Sequence, residues 1–284
     1  MLKNPIIKAL VYFLLFSSIA FIAIFLVTIT AILVKNSIGT INLGFILNAP
    51  KNGMSEGGIF PIIIGTILVT MVSALMAIPL GIFSAIYLCE YAKDSYYTNL
   101  IRISIRNLAA VPSIVYGLFG LAIFVKSLQF GTSALSAGLT LGILTLPTII
   151  TTSEEALKTV PSALKQAGYS LGLTEWQVLT KTTLPVAMPG ILTGIILGVS
   201  RAMGETAPIL FTGVAFYIPN LSLNLNNQFM ALPYHLYIMS TQHHDIDGVR
   251  GIAYSTASVL LILTLLLNII SSSLRMKFRK DLKK

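Results

Sequence analysis

Apolar residues in this chain run on in long blocks instead of alternating with polar ones. Long stretches free of Asp, Glu, Lys and Arg cover 9–34, 57–89, 107–125, 127–153, 182–200, 206–244 and 251–274. A helix that crosses the hydrocarbon core of a bilayer needs about 20 mostly apolar residues. Five of these stretches supply one directly, over roughly 9–33, 60–88, 107–125, 134–153 and 252–274. Gly131, Thr132 and Ser133 predict a short turn between the third and the fourth. The apolar sequence on either side of Arg201 and Glu205 reads as one more helix, from about Val186 to Phe211, carrying both charges. The pattern therefore predicts an all-α membrane protein with six transmembrane helices; two separate spans there would make seven.

Between the fourth and fifth spans the pattern changes. Leu157, Val160, Leu164, Ala167 and Leu171 recur at spacings of three and four, with Lys158, Ser162, Lys165 and Gln166 between them. That spacing predicts a short amphipathic helix, with Pro161 in its first turn and Gly172 in the left-handed conformation that ends it. Thr174 and Gln177 match a capping box for a second short helix that has Trp176 near its start and that Pro185 stops. Such a segment can rest on lipid headgroups, or it can dock a soluble partner through Trp176 and the Leu row.

Only 10% of the 284 residues are charged, against roughly 25% in soluble chains. An ordinary cytosolic enzyme, a disordered chain and a coiled coil are thereby excluded. The net charge of +9, from 19 Lys+Arg against 10 Asp+Glu, forms no basic patch for nucleic acid. Topology accounts for it instead. With six spans, fourteen cations fall on one side: Lys3, Lys8, Lys93, Arg102, Arg106, Lys158, Lys165, Lys181 and the six of the tail from Arg275 to Lys284. Lys35, Lys51, Lys126 and Arg250 fall on the other. The positive-inside rule then places both termini in the cytoplasm, whereas seven spans would put the basic tail outside. Residues 1–34 could be a secretory signal. Their 26-residue apolar run exceeds the roughly 7–15 of a signal core, so a retained first helix is expected.

The single cysteine, Cys89, builds no disulfide framework. The chain has no nucleotide-binding loop, no paired Cys-x-x-Cys and no His-Glu-x-x-His, so it is expected to carry no ATPase, metal or cofactor. His243, His244, Asp245 and Asp247 read as part of a solvated external loop, about 215–250, that also holds Pro219 and Pro233. Pro112 and Ser113 predict a kink near the cytoplasmic end of the third span.

The charges inside the fifth span bear most directly on function. At about 100° per residue, Gly190, Gly194, Gly198, Arg201 and Glu205 share one arc of a helix. Glycines four apart let another helix backbone approach closely, so this arc points into protein. Counted from Val186, Arg201 lies about 22 Å along the helix, past the midplane of a core of about 30 Å. A mid-membrane Arg costs about 2.5–3.5 kcal/mol on insertion scales, and Glu205, four residues on, can offset part of that. The pair reads either as a salt bridge that fixes packing or as an anion-handling pair on a pathway, where the Arg fork matches phosphate or carboxylate oxygens.

Two strings carry a resemblance. Gln166-Ala-Gly-Tyr-Ser-Leu-Gly172 followed by Leu184-Pro185 resembles the Glu-Ala-Ala loop of binding-protein-dependent ABC importer permeases, with Gln166, Gly168 and Thr182 departing from its pattern. The resemblance implies a MetI-like core and an ATPase-coupling segment built from Leu164, Gln166, Ala167, Gly168, Leu171, Gly172, Trp176, Leu184 and Pro185. Arg201-Ala-Met-Gly-Glu-Thr-Ala-Pro208 is similar to the string of PstA-type permeases of phosphate importers, as are Pro79–Leu88, Val111–Gly120 and Leu184–Gly194. It implies inorganic phosphate as substrate and Arg201 and Glu205 on its pathway. The implied partners are a second, PstC-type permease, a cytoplasmic PstB-type ATPase dimer and an extracytoplasmic PstS-type phosphate-binding protein. The domains expected are an N-terminal helix and external loop (1–56), the permease domain (57–275) and a basic cytoplasmic tail (276–284). Another oxyanion, such as sulfate or molybdate, and an ATPase-independent channel or secondary transporter stay open as alternatives.

Overall fold

The computed structural model describes residues 5–218 and 222–281; Lys3, Pro219, Lys283 and Lys284 lie outside them. The chain begins with α1 (Pro5–Ser37) and α2 (Leu43–Leu47), then a hairpin of β1 (Pro50–Lys51) and β2 (Glu56–Gly57) with Pro50 opposite Gly57. There follow α3 (Phe60–Ile86), α4 (Tyr96–Ala109), α5 (Ser113–Gly120) and α6 (Ala134–Lys158). The rest comprises α7 (Ser162–Ser170), α8 (Glu175–Val178), α9 (Leu184–Gly204), α10 (Ala207–Thr212), α11 (Leu232–Thr241) and α12 (Arg250–Asp281). Wide π-helical turns extend α3 over Tyr87–Tyr91 and α5 over Leu121–Ser127, and join α8 to α9 over Leu179–Thr183.

Among the described residues, five helices are long and apolar enough to cross a membrane: Lys8–Ser37, Phe60–Tyr91, Ala134–Lys158, Glu175–Gly204 and Arg250–Phe278. The remaining crossing differs from the straight helix expected over 107–125. Residues 107–109 end α4, and α5 starts at Ser113 after a bend of 102°. Pro112 makes the bend. It stands outside the helix with ψ at 139°, because its ring blocks the helical conformation for the residue before it and it has no N–H to continue the ladder.

At the centre, α3 and α9 pack on α6. An added Cβ at Gly190 would lie 2.5 Å from Cβ of Ala156, at Gly194 2.8 Å from Cβ of Thr152, and at Gly198 2.9 Å from Cγ1 of Ile149. These three α6 residues are themselves three and four apart, so one glycine ridge lies along one row of α6. The many hydroxyls of α6 do not break it. Thr140, Thr145, Thr151 and Thr152 each donate to the carbonyl four residues back in their own helix, which satisfies them in an apolar interior. Further out, α12 packs on α9, and α1 packs on α12 with most of its described side chains exposed.

The segment expected as a solvated external loop is largely a folded cap. The backbone N–H groups of Ala134 and Leu135, at the start of α6, donate to the carbonyls of Asn227 and Leu225 at 2.9 and 2.8 Å. These are donors that a helix start leaves unpaired. Leu232 N–H donates to Thr66 Oγ1 at 2.8 Å. Leu232-Pro233 then opens α11, whose Leu232, Ile238 and Met239 are buried against Ile59, Ile62 and Val249. Reading the stretch as loop missed α11 because it is short and its apolar residues merge into one long uncharged run.

The α6–α9 contact yields a stability prediction. Thr152 is tied by its hydroxyl to Thr148 and has little room to yield. Gly194→Val is expected to destabilise the detergent-solubilised protein by roughly 1–3 kcal/mol through overpacking. Gly204→Ala, where a Cβ meets nothing within 4 Å, is expected to leave the thermal unfolding midpoint in place. Equal midpoints for the two variants would refute the ridge-on-row packing.

Candidate functional site

The helix that carries Arg201 ends sooner than the pattern suggested. Glu205 is not inside it. Helix α9 stops at Gly204, Glu205 is extended with ψ at 132°, and α10 begins at Ala207. Pro208 forces this break, since it cannot donate to the carbonyl of Gly204 and its ring would strike that carbonyl in a continuous helix. The two charges still meet: Arg201 Nε donates to Glu205 Oε1 at 3.2 Å. Arg201 lies in the last turn of α9, where the helix dipole favours a cation. Its side chain is 42% exposed and that of Glu205 16%. Glu205 lines a small crevice with Thr66, Thr70 and Pro233. The arrangement is a guanidinium whose terminal N–H donors have no partner among the described residues, held from one side by a more buried carboxylate, which suits it to an incoming anion.

At the other end of the same helix lie α7 and α8. Gly172 sits between them with φ +80°. Thr174 N–H donates to Gln177 Oε1 at 3.0 Å and Gln177 N–H to Thr174 Oγ1 at 3.4 Å, a complete capping box. The residues named for coupling divide into three sets. Leu164, Gln166, Ala167, Leu171 and Trp176 are exposed, Leu171 at 82% and Trp176 at 63%. Gly168 is buried, and a Cβ added there would lie 3.1 Å from Cγ2 of Val178, so its absence lets α7 close on α8. Leu184 and Pro185 are half-buried members of α9. Pro185 was expected to stop the second short helix. Instead it stands in the first turn of α9, and the helix passes it through the π turn, where Leu184 N–H reaches back five residues to the carbonyl of Leu179. Leu157 and Val160, read as the start of the amphipathic row, are buried in the bundle core.

An ion network at the same end was not found from the sequence. Glu154, buried near the end of α6, accepts from Arg102 Nε of α4 at 2.8 Å and from Lys158 Nζ at 2.6 Å. Arg102 also donates to the carbonyl of Leu88 at 2.6 Å. Lys165 of α7 pairs with Glu90 at 2.7 Å. Thus α7 and the α4 bend are both pinned to the ends of spanning helices. The only signal in the sequence was that Glu90 and Glu154 each bound a charge-free run, as Glu56, Glu205 and Asp245 also do; their partners Lys165 and Arg102 lie 75 and 52 residues away.

Two histidines outside this axis, His235 and His243, are buried. His243 is buried, with Nε2 3.5 Å from Ser55 Oγ and 3.3 Å from the carbonyl of Gly53; it is no solvated loop residue. The hairpin turn folds over it. His235, on α11, has Nδ1 3.1 Å from Thr256 Oγ1. Burial, with a smaller push from His243, lowers its pKa to about 4, so it is neutral near pH 7 and offers an anion no charge. Among the described residues no three His, Cys, Asp or Glu side chains converge to hold a metal.

Comparison with known proteins fits this geometry. Residues 77–283 match the family described as binding-protein-dependent transport system inner membrane component. The phosphate transport system permease protein PstA of Pasteurella multocida (strain Pm70) is 31% identical over 268 residues, 94% of this chain and 92% of that protein. PstA 1 of Mycobacterium tuberculosis (strain ATCC 25618 / H37Rv) is 34% identical over 220 residues, 77% of this chain and 70% of that protein. A chain of the bacterial alginate ABC transporter, solved in complex with alginate pentasaccharide-bound periplasmic protein, superposes with a TM-score of 0.64 over 98% of this chain and 96% of its own; at 14% identity the likeness is one of fold.

The ion network supplies its own test. Removing one partner of a buried pair strands the other charge, at a cost of roughly 3 kcal/mol, whereas an exposed helix pair contributes at most about 1 kcal/mol. Arg102 is 16% exposed and Lys158 55%. Glu154→Gln is therefore expected to lower unfolding stability by about 3 kcal/mol and Lys158→Gln by under about 1 kcal/mol. Equal losses in a denaturation series would show that Arg102 is not the partner that matters.

Proposed function

The chain belongs to the binding-protein-dependent transport system inner membrane component family, and we propose that it is the permease subunit of an ATP-driven importer of inorganic phosphate. The observation that carries the substrate is the likeness to proteins named phosphate transport system permease over as much as 94% of this chain. The Arg201–Glu205 pair supplies chemistry of the matching kind. A phosphate oxyanion released on the outer side meets the free donors of Arg201, whose fork suits two oxygens at once. Glu205 orients the guanidinium and takes it back once the anion has moved on. The working complex pairs this chain with a second, PstC-type permease, and receives phosphate from an extracytoplasmic PstS-type binding protein.

The energy comes from a cytoplasmic PstB-type ATPase dimer, which seats on the exposed face of Leu164, Gln166, Ala167, Leu171 and Trp176. Movement of α7 and α8 on ATP binding and hydrolysis is passed to α9. The cation distribution supports an orientation with both termini in the cytoplasm of a multi-pass cell-membrane protein.

Two variants test the two ends. Arg201→Gln is expected to abolish phosphate uptake in proteoliposomes while the complex still assembles, and Arg201→Lys to restore only part of it, since charge returns without the fork. Normal uptake by the Gln variant would remove Arg201 from the pathway, and retained sulfate but not phosphate transport by the unmodified complex would reassign the substrate. Gly172→Val is expected to weaken co-purification of the ATPase. No atom lies within 4 Å of its would-be Cβ, so the defect is one of backbone conformation, about 1–2 kcal/mol. Gly172→Asn, which tolerates a positive φ, is expected to retain binding. Full ATPase binding by the Val variant would place docking elsewhere.

A further inference from the structure

Helix α4 has three differently composed sides. Thr98 is buried, and Arg102 and Ile105 are half-buried toward α6 and the end of α3. About a quarter-turn to one side of that inner face lie Tyr97, Ile101 and Leu108, exposed at 75%, 48% and 45%. About a quarter-turn to the other side lie Asn99 and Arg106, also exposed. Ser95 caps the start, its Oγ accepting from Thr98 N–H, and Lys93 stands just before it. Neither Lys93 nor Arg106 has an acidic side chain within 4.0 Å among the described residues.

The direction of α4 is set by its neighbour. It meets α5 at 102°, and α5 with its π turn runs into the membrane. A helix at right angles to a crossing segment, joined to it by three residues, lies along the membrane surface. A helix in that position has protein on one side, acyl chains on the next and water on the third, which is how these residues of α4 are sorted; Leu100 and Ile103, exposed at 48% and 46%, lie on the outer face between the two flanks. The aromatic pair at its start, Tyr96 and Tyr97 with ring centroids 5.9 Å apart, has the amphipathic character that favours the headgroup level.

We propose that α4 is an in-plane lipid anchor at the cytoplasmic leaflet, with Tyr97, Ile101 and Leu108 among acyl chains and Lys93 and Arg106 against anionic lipid headgroups. The side of the membrane rests on the orientation proposed above; the contact with lipid does not. Through Arg102 and Glu154, the anchor fixes the cytoplasmic end of α6 at a set depth, so the coupling segment moves against a part of the chain held by the bilayer.

Spin-label accessibility tests this in the assembled complex, with Cys89→Ser here and the partner chains' cysteines replaced, in phosphatidylethanolamine–phosphatidylglycerol vesicles. Labels on Tyr97→Cys and Ile101→Cys are expected to collide several-fold more with oxygen than with a water-soluble nickel chelate, and a label on Asn99→Cys the reverse. Labels at 97 and 101 that neither reagent reaches would mean that a partner protein covers the flank. Labels that the nickel chelate reaches freely would mean that water does. Either result overturns the anchor. Exchanging phosphatidylglycerol for phosphatidylcholine is expected to bring the label at 97 closer to the surface, and to have no effect in a Lys93→Gln, Arg106→Gln background. A depth that ignores phosphatidylglycerol with both cations present would overturn the headgroup assignment. Failure of phosphate uptake plays no part in these readings, so the anchor and the substrate stand or fall separately.

Discussion

No side chain separates α9 from α6 at Gly190, Gly194 and Gly198, and the two ends of the molecule are related through that contact. In a bilayer, helices gain little from hiding apolar surface from one another, because lipid is as apolar as leucine; close backbone packing has to supply the association. The glycine ridge does so over about 12 Å of helix, a little under half of a core of about 30 Å. On α6 the same contact ends near Glu154 and its two cations. On α9 it ends one turn before Arg201. The ion network at one end and the charged pair at the other thus share one seam.

Three prolines at helix junctions behave differently, and local chemistry explains each. Pro112 follows two residues outside a helix and becomes the first residue of a new direction. Pro208 breaks the chain because Gly204, four residues earlier, presents the carbonyl that its ring would strike. Pro185 breaks nothing, because the preceding turn is widened and the ladder shifts to a five-residue reach. Proline in a sequence marks a donor that is missing. Whether the chain bends, breaks or widens depends on what neighbouring carbonyls can find.

The spans were legible in the sequence because a bilayer imposes one requirement, about 20 residues without charge, and that is visible in a single chain. So were Gly172 and the Thr174–Gln177 box, whose conformations depend on residues within a turn. The bend at Pro112 was underestimated, since the apolar run continues through it and composition does not report direction. Helix α11 and the burial of His243 were missed for a related reason. Both depend on contacts with residues 45–62 and 249, brought together only after the four crossings from α3 to α9. The pairs Arg102–Glu154 and Lys165–Glu90 were illegible on the same ground: a charge at the edge of a span has several candidates, and only the packing of α4 and α7 selects one. The pairing of Arg201 with Glu205 was legible from their spacing, but the end of the helix between them was not.

The continuity of the chain through Pro185 makes Glu175–Gly204 a single strut of 30 residues, about 45 Å long at 1.5 Å per residue. Gly190, the first of the three ridge glycines, lies halfway along. From Gly190 to Gly198 it is keyed to α6, so a displacement of the Trp176 end reaches the Arg201 end only if α6 moves with it. The strut and α6 then form one lever, with Trp176 near one end and Arg201 near the other.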